Sequence, residues 1–546
     1  MKITPFIFLV VGTLLCTEVQ AQFQRKIAAP YYEMPEAMDL FKRGYVVGGL
    51  DLQSPMTTFL LHTNHRGDVE WNMKYQLDNN GQLTILHFAD VKNFRYQTND
   101  RIALLGSSSW INATNGKSDI VFATLDEKGN PLQAFLYGTS EYDNGLVLER
   151  IENGKGFAIV GETHPAPNPN YFMDITLAIV DVNGNMVMSA VYKAPGRQRI
   201  YDIVQTRDRG FALVGETSYY GHSCDGDSVS AFVLKVDKNL NIQWNKVLDI
   251  APEGEFSKEY AYGVEQTGSD EILVLGSSNN STNNGGLFRA APFLMVLDKY
   301  GNLQWIKTYG IRNGSYTYPQ PTGRSLVTRD LPGGNVEHAF LGTRTSTESM
   351  IFTTDAVGNP TWCMVYNGGN NLVWPTELVR NLTDGFAFVG RTSGTTTFND
   401  IHLGRTDDFG KTNTACELKQ DPLQFQPKYC ELEIPIDRVD KLGVKNIRIR
   451  PLDWPVKEFD CEYNTLASLS TPGTGLLYPN PAKDYLYFEG ISPKEATILD
   501  LSGLPIKSVL VQGEGLPVYD LAPGLYIVEV SVPGADVPQR YLFQKE

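Results

Sequence analysis

Short apolar segments recur along most of the chain, and few of them alternate apolar and polar residues. The segments "DITLAIV" (174–180) and "AFVLKV" (231–236) are apolar at nearly every position. A strand with one solvated face alternates, so these strands are expected to be buried on both faces. We find no helical periodicity in the repeated region. The pattern therefore predicts an all-β protein whose sheets pack face to face.

One strand motif occurs seven times. The segments "GFAIVGET" (156–163) and "GFALVGET" (210–217) are near-copies, and five further segments share the apolar run that ends in glycine. The seven glycines, spaced 48 to 66 residues apart, are Gly48, Gly106, Gly161, Gly215, Gly276, Gly342 and Gly390. Four short strands in each of seven units predict a seven-bladed β-propeller. A series of β-sandwiches is the alternative, although its outer faces would alternate more regularly.

A turn of the form Asp-x-x-Gly-Asn follows one strand of most units, as in "DVNGN" (181–185) and "DKYGN" (298–302). Glycine and asparagine tolerate the positive φ of such a turn, and the Asp side chain can cap the turn's own backbone. The turn lacks the spacing of a sialidase Asp-box and the alternating oxygen ligands of a calcium loop. We expect the tryptophans after the turn to wedge the outer strand between units; they are Trp71, Trp244, Trp305 and Trp362. The repeated octapeptide is therefore interpreted as architecture.

Composition limits the possible partners. The 546 residues carry a net charge of −15, with a pI near 5.1 and no local run of Lys or Arg. A protein that tracks phosphates needs a basic face, so nucleic acid is not an expected partner. The chain is also too long for one ordinary domain.

The N-terminus begins "MKITPFIFLVVGTLLCTEVQAQ", with one Lys, an apolar run from Phe6 to Leu15 and small residues before Ala21. This pattern predicts a secretory signal peptide cleaved after Ala21, because the apolar run is too short to span a membrane. Cys16 raises a lipoprotein alternative, but Leu15 stands where such signals need a small residue. No other stretch resembles a transmembrane helix.

Five cysteines follow the predicted signal peptide, namely Cys224, Cys363, Cys416, Cys430 and Cys461. Export permits disulfides, and we predict a bridge between Cys430 and Cys461, which flank one segment. Cys363 adjoins a tryptophan in a predicted strand and is interpreted as a small buried hydrophobe. No cysteine spacing fits a metal knuckle, so neither a metal nor a cofactor is expected.

The C-terminal segment differs from the repeats. After the linker "STPGTG", closely spaced strands from Leu476 onward indicate a small antiparallel sandwich. The segment resembles the type A sorting domain of the type IX secretion system, found in Bacteroidota. The resemblance lies in "YPNP" (Tyr478, Pro479, Asn480, Pro481), in "DLSG" with Gly503, and in "DLAPGLYIV" with Gly524 and Tyr526.

The resemblance implies a route of export and its partners. The signal peptide would take the chain to the periplasm, where the sorting domain would engage the outer-membrane translocon. A sortase-like peptidase would remove the domain by cutting within 466–476 and would couple some cargo to surface polysaccharide. We therefore expect a protein that is secreted or held at the cell surface.

Long polar loops are the expected place for a site. In a propeller, the loops from second to third strand and those between blades share one face, and here both kinds are long. Aromatic, Asn and Arg side chains in them suit sugar stacking or protein contacts. The predicted ligand-binding residues are Tyr171, Tyr219, Tyr220, His222, Arg289, Tyr316 and Trp374. We assign no catalytic residue.

Three functions remain open at this point. Non-catalytic binding to an extracellular glycan or protein is the main prediction. A propeller hydrolase or lyase acting on polysaccharide is the alternative, and a structural surface component is the third. The candidate groups for catalysis are His164, His222, Asp225 and Asp227. The predicted domains are a signal peptide (1–21), a seven-repeat propeller (22–419), a connector with short strands (420–475) and an Ig-like β-sandwich sorting domain (476–546).

Overall fold

The structure is a computed structural model that divides the chain into two compact units, Met1–Glu462 and Tyr463–Glu546. It describes residues 22–28, 32–52, 56–79, 82–108, 117–164, 173–218, 229–249, 258–278, 291–311, 326–331, 335–345, 348–366, 373–381, 385–393, 399–412, 417–420, 422–425, 430–432, 436–439, 442–452, 457–460, 476–478, 482–489, 495–499, 505–510, 515–531 and 539–545. The signal-peptide prediction lies outside these residues.

The described part of the first unit consists of strands and turns, with one short 3-10 helix at Glu152–Gly154. Its first strands are β1 (Phe23–Ala28), β2 (Glu33–Phe41), β3 (Gly44–Asp51), β4 (Thr57–Thr63), β5 (Val69–Asn79), β6 (Gln82–Thr84), β7 (Leu86–Tyr96), β8 (Asn99–Ser108), β9 (Ile120–Leu125), β10 (Pro131–Gly138), β11 (Tyr142–Arg150), β12 (Gly156–His164), β13 (Asp174–Asp181) and β14 (Met186–Lys193). They are followed by β15 (Gln198–Gln205), β16 (Phe211–Thr217), β17 (Ser230–Val236), β18 (Ile242–Asp249), β19 (Glu259–Gln266), β20 (Ile272–Ser278), β21 (Ala291–Leu297), β22 (Leu303–Ile311), β23 (Leu326–Leu331), β24 (Asn335–Thr345), β25 (Glu348–Asp355), β26 (Pro360–Tyr366), β27 (Val373–Arg380), β28 (Phe386–Ser393) and β29 (Asn399–Arg405). The all-β prediction is confirmed.

These strands form seven antiparallel sheets in chain order, numbered here 1 to 7 and starting with β2, β7, β11, β15, β19, β23 and β27. Sheets 1 to 6 take four consecutive strands each, and β6 also pairs with β5. Sheet 7 takes its fourth strand from the other end of the chain, because β1 pairs with β29. The first octapeptide lies within the second strand of sheet 3, and the second octapeptide, apart from Gly210, lies in the second strand of sheet 4.

The repeat glycines share one register position, with a single correction. In sheets 2, 3, 4, 5 and 7 the glycine that ends the second strand's apolar run stands beside an irregularity in the first strand. In sheet 1 the residue at that position is Gly49, and the predicted Gly48 stands one place earlier, where sheet 3 has Val160. The two adjacent glycines made the sequence alignment ambiguous by one residue.

Both faces of the sheets are buried, as the apolar pattern predicted. All seven residues of β17 are buried. Among the described residues of this unit, seven hydrophobic clusters each join two neighbouring sheets, and one of them joins sheet 7 to sheet 1. The first strands of neighbouring sheets also contact each other in chain order, and β27 contacts β2.

The turn between third and fourth strands is held by its first side chain. In sheet 3, Oδ1 of Asp181 accepts hydrogen bonds from the amides of Asn183 and Asn185, and Oδ2 accepts one from the Asn185 side chain at 2.9 Å. Equivalent bonds form in sheets 2, 4, 5 and 6. The predicted capping role of the Asp is confirmed. The fourth turn residue has positive φ in every sheet, and it is Gly except in sheet 4, where it is Leu240.

The tryptophans were predicted to wedge the outer strand between units, and the structure places each of them against the turn of the next sheet. A Cβ added at Gly301 would approach the Trp244 ring to 2.9 Å, and Trp71, Trp305 and Trp362 stand in the same relation to Gly129, Gly358 and Gly410. Cys363, which follows one of these tryptophans, is fully buried. Cys461 and the side chain of Cys430 lie outside the described residues, so their bridge stays a prediction.

Seven short strands follow the sheets in the sequence, and we call these seven strands the strap. Its strands are β30 (Glu417–Gln420), β31 (Pro422–Phe425), β32 (Cys430–Leu432), β33 (Asp437–Val439), β34 (Gly443–Asn446), β35 (Arg448–Leu452) and β36 (Lys457–Asp460). They pair in reverse order with the fourth strands of sheets 6, 5, 4, 3, 2 and 1, and β36 pairs with β1 of sheet 7. Every sheet therefore has a fifth strand on its outer edge.

The second unit contains two small sheets. Its strands are β37 (Leu476–Tyr478), β38 (Tyr485–Glu489), β39 (Glu495–Leu499), β40 (Pro505–Leu510), β41 (Leu516–Pro517), β42 (Gly524–Ser531) and β43 (Gln539–Lys545). The sheet orders are β37-β38-β41 and β40-β39-β42-β43. Residues of both sheets, among them Leu486 and Val528, form one buried core.

Candidate ligand-binding site

A β-bulge recurs on the first strands of the sheets. Within the described residues it occurs in six of the seven sheets, at the position opposite the repeat glycine. A bulge inserts one extra residue and redirects the local side chains, and bulges are frequent beside functional sites. The inserted residues are Glu36, Ala89, Leu146, Tyr201, Tyr262 and Thr376.

Four of these inserted residues line one cavity of about 460 Å³, which we call the bulge cavity; they are Glu36, Ala89, Leu146 and Tyr201. Its other polar lining residues include His87, Asn144, Glu162 and Arg199. His87, Asn144 and Arg199 occupy one register position in sheets 2, 3 and 4, and Glu162 pairs with Asn144 from the second strand. The cavity thus lies near the starts of the first strands and the ends of the second strands.

Glu162 and Arg199 bring opposite charges to the cavity from neighbouring sheets. Glu162 is 7% exposed, and its Oε1 accepts a hydrogen bond from Asn144 at 3.5 Å. Its Oε2 has no hydrogen-bond partner within the described residues, and the same holds for Nε of Arg199. The guanidinium carbon of Arg199 lies 5.7 Å from the centre of the Tyr201 ring. Within the described structure, Glu162 and Arg199 form no direct ion pair.

In the second octapeptide, both carboxylate oxygens of Glu216 have partners, in contrast to those of Glu162. Glu216 accepts a hydrogen bond from the Tyr201 hydroxyl at 3.0 Å and lies 3.3 Å from the Arg197 guanidinium. The Tyr201 ring stands 5.1 Å from the ring of Tyr262. Tyr262 in turn stacks on Tyr260 at 5.7 Å. These tyrosines form an aromatic row that begins at the cavity wall.

Burial and the neighbouring charges shift the pKa values in the cavity. Burial raises the pKa of Glu36 to about 8, against the opposing effect of Arg199 and Arg391. The side chain is partly accessible from the cavity, but the surrounding protein desolvates its carboxyl group. Burial lowers the pKa of Arg199, yet the acidic groups around it, led by Glu162, outweigh this and raise it overall. Glu36 is therefore largely protonated at neutral pH, and Arg199 is charged.

Most of the sequence-predicted ligand residues lie outside the described part of the chain. These are Tyr171, Tyr219, Tyr220, His222, Arg289 and Tyr316, and their role stays a prediction. Trp374 is described only by its backbone, in β27. Its register partner is Arg391, so Trp374 holds in sheet 7 the position that Arg199 holds in sheet 4. His164 is buried and stacks on Tyr142 at 5.2 Å, and burial lowers its pKa.

Sequence reasoning missed Glu36, Glu162 and Arg199. A signal for Glu162 was present, because it directly follows the repeat glycine. The residues at the same position in other sheets include Ser107, Ser277 and Arg391. A polar residue that varies in kind after a fixed glycine indicates a position that faces something other than the core. Glu36 had no comparable signal, since a bulge must be known before its inserted residue can be placed.

Residues 476–541 match the family described as the secretion system C-terminal sorting domain. The C-terminal unit is a sorting domain. It indicates a cargo protein of the type IX secretion system, with an interaction between this domain and that system, and a destination at the cell surface or outside the cell. No curated protein matches the sequence.

Within the sorting domain, the structure describes part of the predicted motif. Tyr478 ends β37, and Gly524 begins β42. The Tyr526 hydroxyl donates a 2.9 Å hydrogen bond to the Ala522 carbonyl, and its ring stacks on Phe543 at 5.7 Å. The remaining motif residues, Pro479, Asn480, Pro481 and Gly503, lie outside the described residues.

Two solved structures illustrate the level of structural likeness. A puromycin hydrolase mutant aligns over 69% of this chain and 54% of its own, about half its length, at 9% identity and a TM-score of 0.41. PorZ, an essential surface component of the type IX secretion system of Porphyromonas gingivalis, aligns over 95% of this chain and 100% of its own, at 9% identity and a TM-score of 0.16. Likeness at this level assigns neither a fold nor a function.

In the parts of the chain that the structure describes, no helix has the length and apolar character needed to cross a membrane. The same residues contain no group of three or more His, Cys, Asp or Glu side chains arranged to hold a metal ion.

Proposed function

We propose that the first unit is a seven-bladed β-propeller that binds an extracellular glycan or protein without catalysis, and that the sorting domain delivers it to the cell surface. The observation that supports binding is the bulge cavity. Polar and aromatic side chains converge there on a scaffold of packed strands, which is the usual character of a ligand pocket.

The propeller proposal is supported by three relationships among the sheets. Neighbouring first strands contact each other in chain order, and β27 contacts β2. Hydrophobic clusters join successive sheets and also join sheet 7 to sheet 1. Sheet 7 combines strands from both ends of the repeat region, which is how a circular array of blades is fastened.

The proposed export route follows from the sorting domain and the N-terminal pattern. Signal peptidase would cut after Ala21, and the translocon would recognise the sorting domain. A sortase-like peptidase would then cut within 466–476. Strand β1 starts at Phe23, two residues after the proposed signal-peptidase site, and the strap ends at Asp460, before the proposed sortase site. Both cuts would therefore leave the described sheets intact.

A polysaccharide-acting enzyme is the second candidate, and one observation favours it. Glu36 and Glu162 line the same cavity, and the raised pKa of Glu36 would let it donate a proton at neutral pH. Binding remains our proposal because Glu162 interacts electrostatically with Arg199, and such a pair of opposite charges suits the holding of polar ligand groups.

The test uses the chain from Gln22 to Glu546, applied to polysaccharide and matrix-protein arrays, with binding and release of reducing ends measured on the same samples. We expect binding without release. Release that disappears in Glu36→Gln would establish the enzyme alternative instead. The absence of both binding and release across the arrays would leave the structural role as the better account.

A further inference from the structure

The bulge cavity contains an unmatched hydrogen-bond acceptor beside an unmatched donor. Oε2 of Glu162 and Nε of Arg199 are buried atoms without hydrogen-bond partners among the described residues. An unpaired buried polar atom costs about 1 to 3 kcal/mol, so two of them in one cavity indicate a ligand that satisfies both. A hydroxyl group donates and accepts, and adjacent hydroxyls can serve the two atoms together.

Charged groups of both signs surround the cavity. Glu162 and Glu377 line it together with Arg199, and Arg391 acts electrostatically on Glu36. Glu36 adds little negative charge at neutral pH, because its pKa is raised to about 8. An anionic ligand would approach the Glu162 carboxylate and a cationic ligand would approach the Arg199 guanidinium, and the cost of burying that like charge favours an uncharged ligand.

An aromatic face completes the site. Tyr201 lines the cavity and begins the row that continues through Tyr262 and Tyr260. The C–H faces of sugar rings pack on such surfaces, while their hydroxyls reach the polar groups at the edge. A volume of about 460 Å³ lies at the small end of the range for ligand pockets, which suits one or two sugar rings.

We propose that the bulge cavity binds an uncharged sugar, with adjacent hydroxyls donating to Glu162 and accepting from Arg199 and with one ring face on Tyr201. This proposal rests on the proposed binding function and specifies its ligand. It also assigns a role to the first octapeptide that its repetition alone did not reveal, since Glu162 belongs to that segment.

The test is calorimetric titration of the chain from Gln22 to Glu546 with glucose, galactose, mannose, lactose and cellobiose, alongside glucosamine and galacturonate as charged probes. At least one neutral sugar should bind, and its charged counterparts should bind at least about tenfold more weakly. Glu162→Gln and Arg199→Met should each weaken the neutral sugar by about tenfold or more. Glu152→Gln, an exposed glutamate outside the cavity, is the matched control and should bind like the parent.

Ala89→Leu provides a test that removes no polar group. The side chain would fill part of the cavity and should abolish binding while leaving Glu162 and Arg199 in place, with folding checked by circular dichroism. Glucosamine or galacturonate binding more tightly than every neutral sugar would overturn the neutral ligand class. Array binding that survives all three cavity substitutions would overturn the cavity proposal but leave the proposed function intact. Failure of every array ligand and every sugar would overturn both.

Discussion

The hydroxyl of Tyr192, in β14, donates a 2.8 Å hydrogen bond to the carbonyl of Leu240, in the turn of the next sheet. Both residues are fully buried. The same bond joins Tyr75 to Gly129, Tyr137 to Gly184, Tyr309 to Gly358 and Tyr366 to Gly410. In sheet 4 the tyrosine's register position is occupied by Leu248. The acceptor is always the positive-φ residue of the turn, so turn geometry and sheet packing are coupled.

Replacing Tyr192 by Phe should lower the free energy of unfolding by about 1 to 2 kcal/mol, because the buried Leu240 carbonyl loses its donor while the ring packing stays. Urea unfolding followed by tryptophan fluorescence measures the change. Tyr300→Phe is the control, since Tyr300 is 68% exposed and its loss should cost less than about 0.5 kcal/mol. Equal losses in the two variants would contradict the proposed role of the bond.

Replacing Leu240 by Gly relieves the strain of a positive φ but also removes a buried apolar side chain. Leu240 has φ of +63°, a conformation that costs a non-glycine residue about 1 to 2 kcal/mol. Its buried side chain and the cavity left by removal contribute more, so the variant should be less stable by about 2 to 4 kcal/mol. Arg209→Gly is the matched control, with φ of +66° and an exposed side chain. Its stability should stay within about 1 kcal/mol of the parent, and a stabilised Leu240→Gly would show that strain dominates.

The strap should protect the outer edges of the sheets from pairing with other molecules. A chain ending at Thr412 leaves the outer edge of each fourth strand unpaired, whereas a chain ending at Glu462 retains all seven strap strands. Unpaired edges template association, so the shorter chain should form aggregates where the longer one stays monodisperse. Light scattering coupled to size-exclusion chromatography separates the outcomes. Identical elution and scattering of the two chains would contradict this role.

The raised pKa of Glu265 should make the stability of the first unit depend on pH. Burial, reinforced by the carboxylates of Asp202 and Glu149, raises its pKa to about 8 from an ordinary value of 4.5. Between these pH values the folded state retains a proton that the unfolded chain has released, so this group makes stability fall as pH rises from about 4.5 to 8.

Glu265→Gln removes that proton equilibrium. Relative to the parent, the variant should gain at least about 1 kcal/mol of unfolding free energy between pH 4.5 and pH 8.5. Urea midpoints at the two pH values provide the comparison, with the exposed Glu152→Gln as control. A relative gain that appears on acidification instead would show that the carboxyl group is ionised in the folded state.

The local parts of the fold were predictable from the sequence because each is determined by a few adjacent residues. The Asp-x-x-Gly-Asn turn needs only its own five residues, and the tryptophan wedge follows from its fixed place after that turn. The inter-sheet tyrosine also had a sequence signal, since Trp71 and Tyr75 are four residues apart, as are Trp305 and Tyr309. For the strap, the sequence indicated short strands in the connector (420–475) but not their partners, because strands of three to five residues carry too little periodicity to indicate a partner hundreds of residues away.

The candidate site was less accessible for a different reason. Sequence reasoning looks for binding residues in polar loops, whereas Glu162 lies in a strand whose neighbours are apolar. Glu36 faces the cavity because a bulge shifts its register by one residue, and one residue reverses the face of a strand. Glu162 could be recognised as a candidate binding residue only after its pairing with Asn144 was known.

The meeting of β1 and β36 in one sheet constrains the order in which the molecule can be completed. Sheet 7 is built from β1, from β27 to β29, and from the last strand of the strap. A chain that emerges from its N-terminus can assemble sheets 1 to 6 without their strap strands, while β1 waits for partners more than 370 residues away. The last hydrogen-bonded ladder to form therefore joins the two ends, and a chain still in transit has an unfinished seventh sheet.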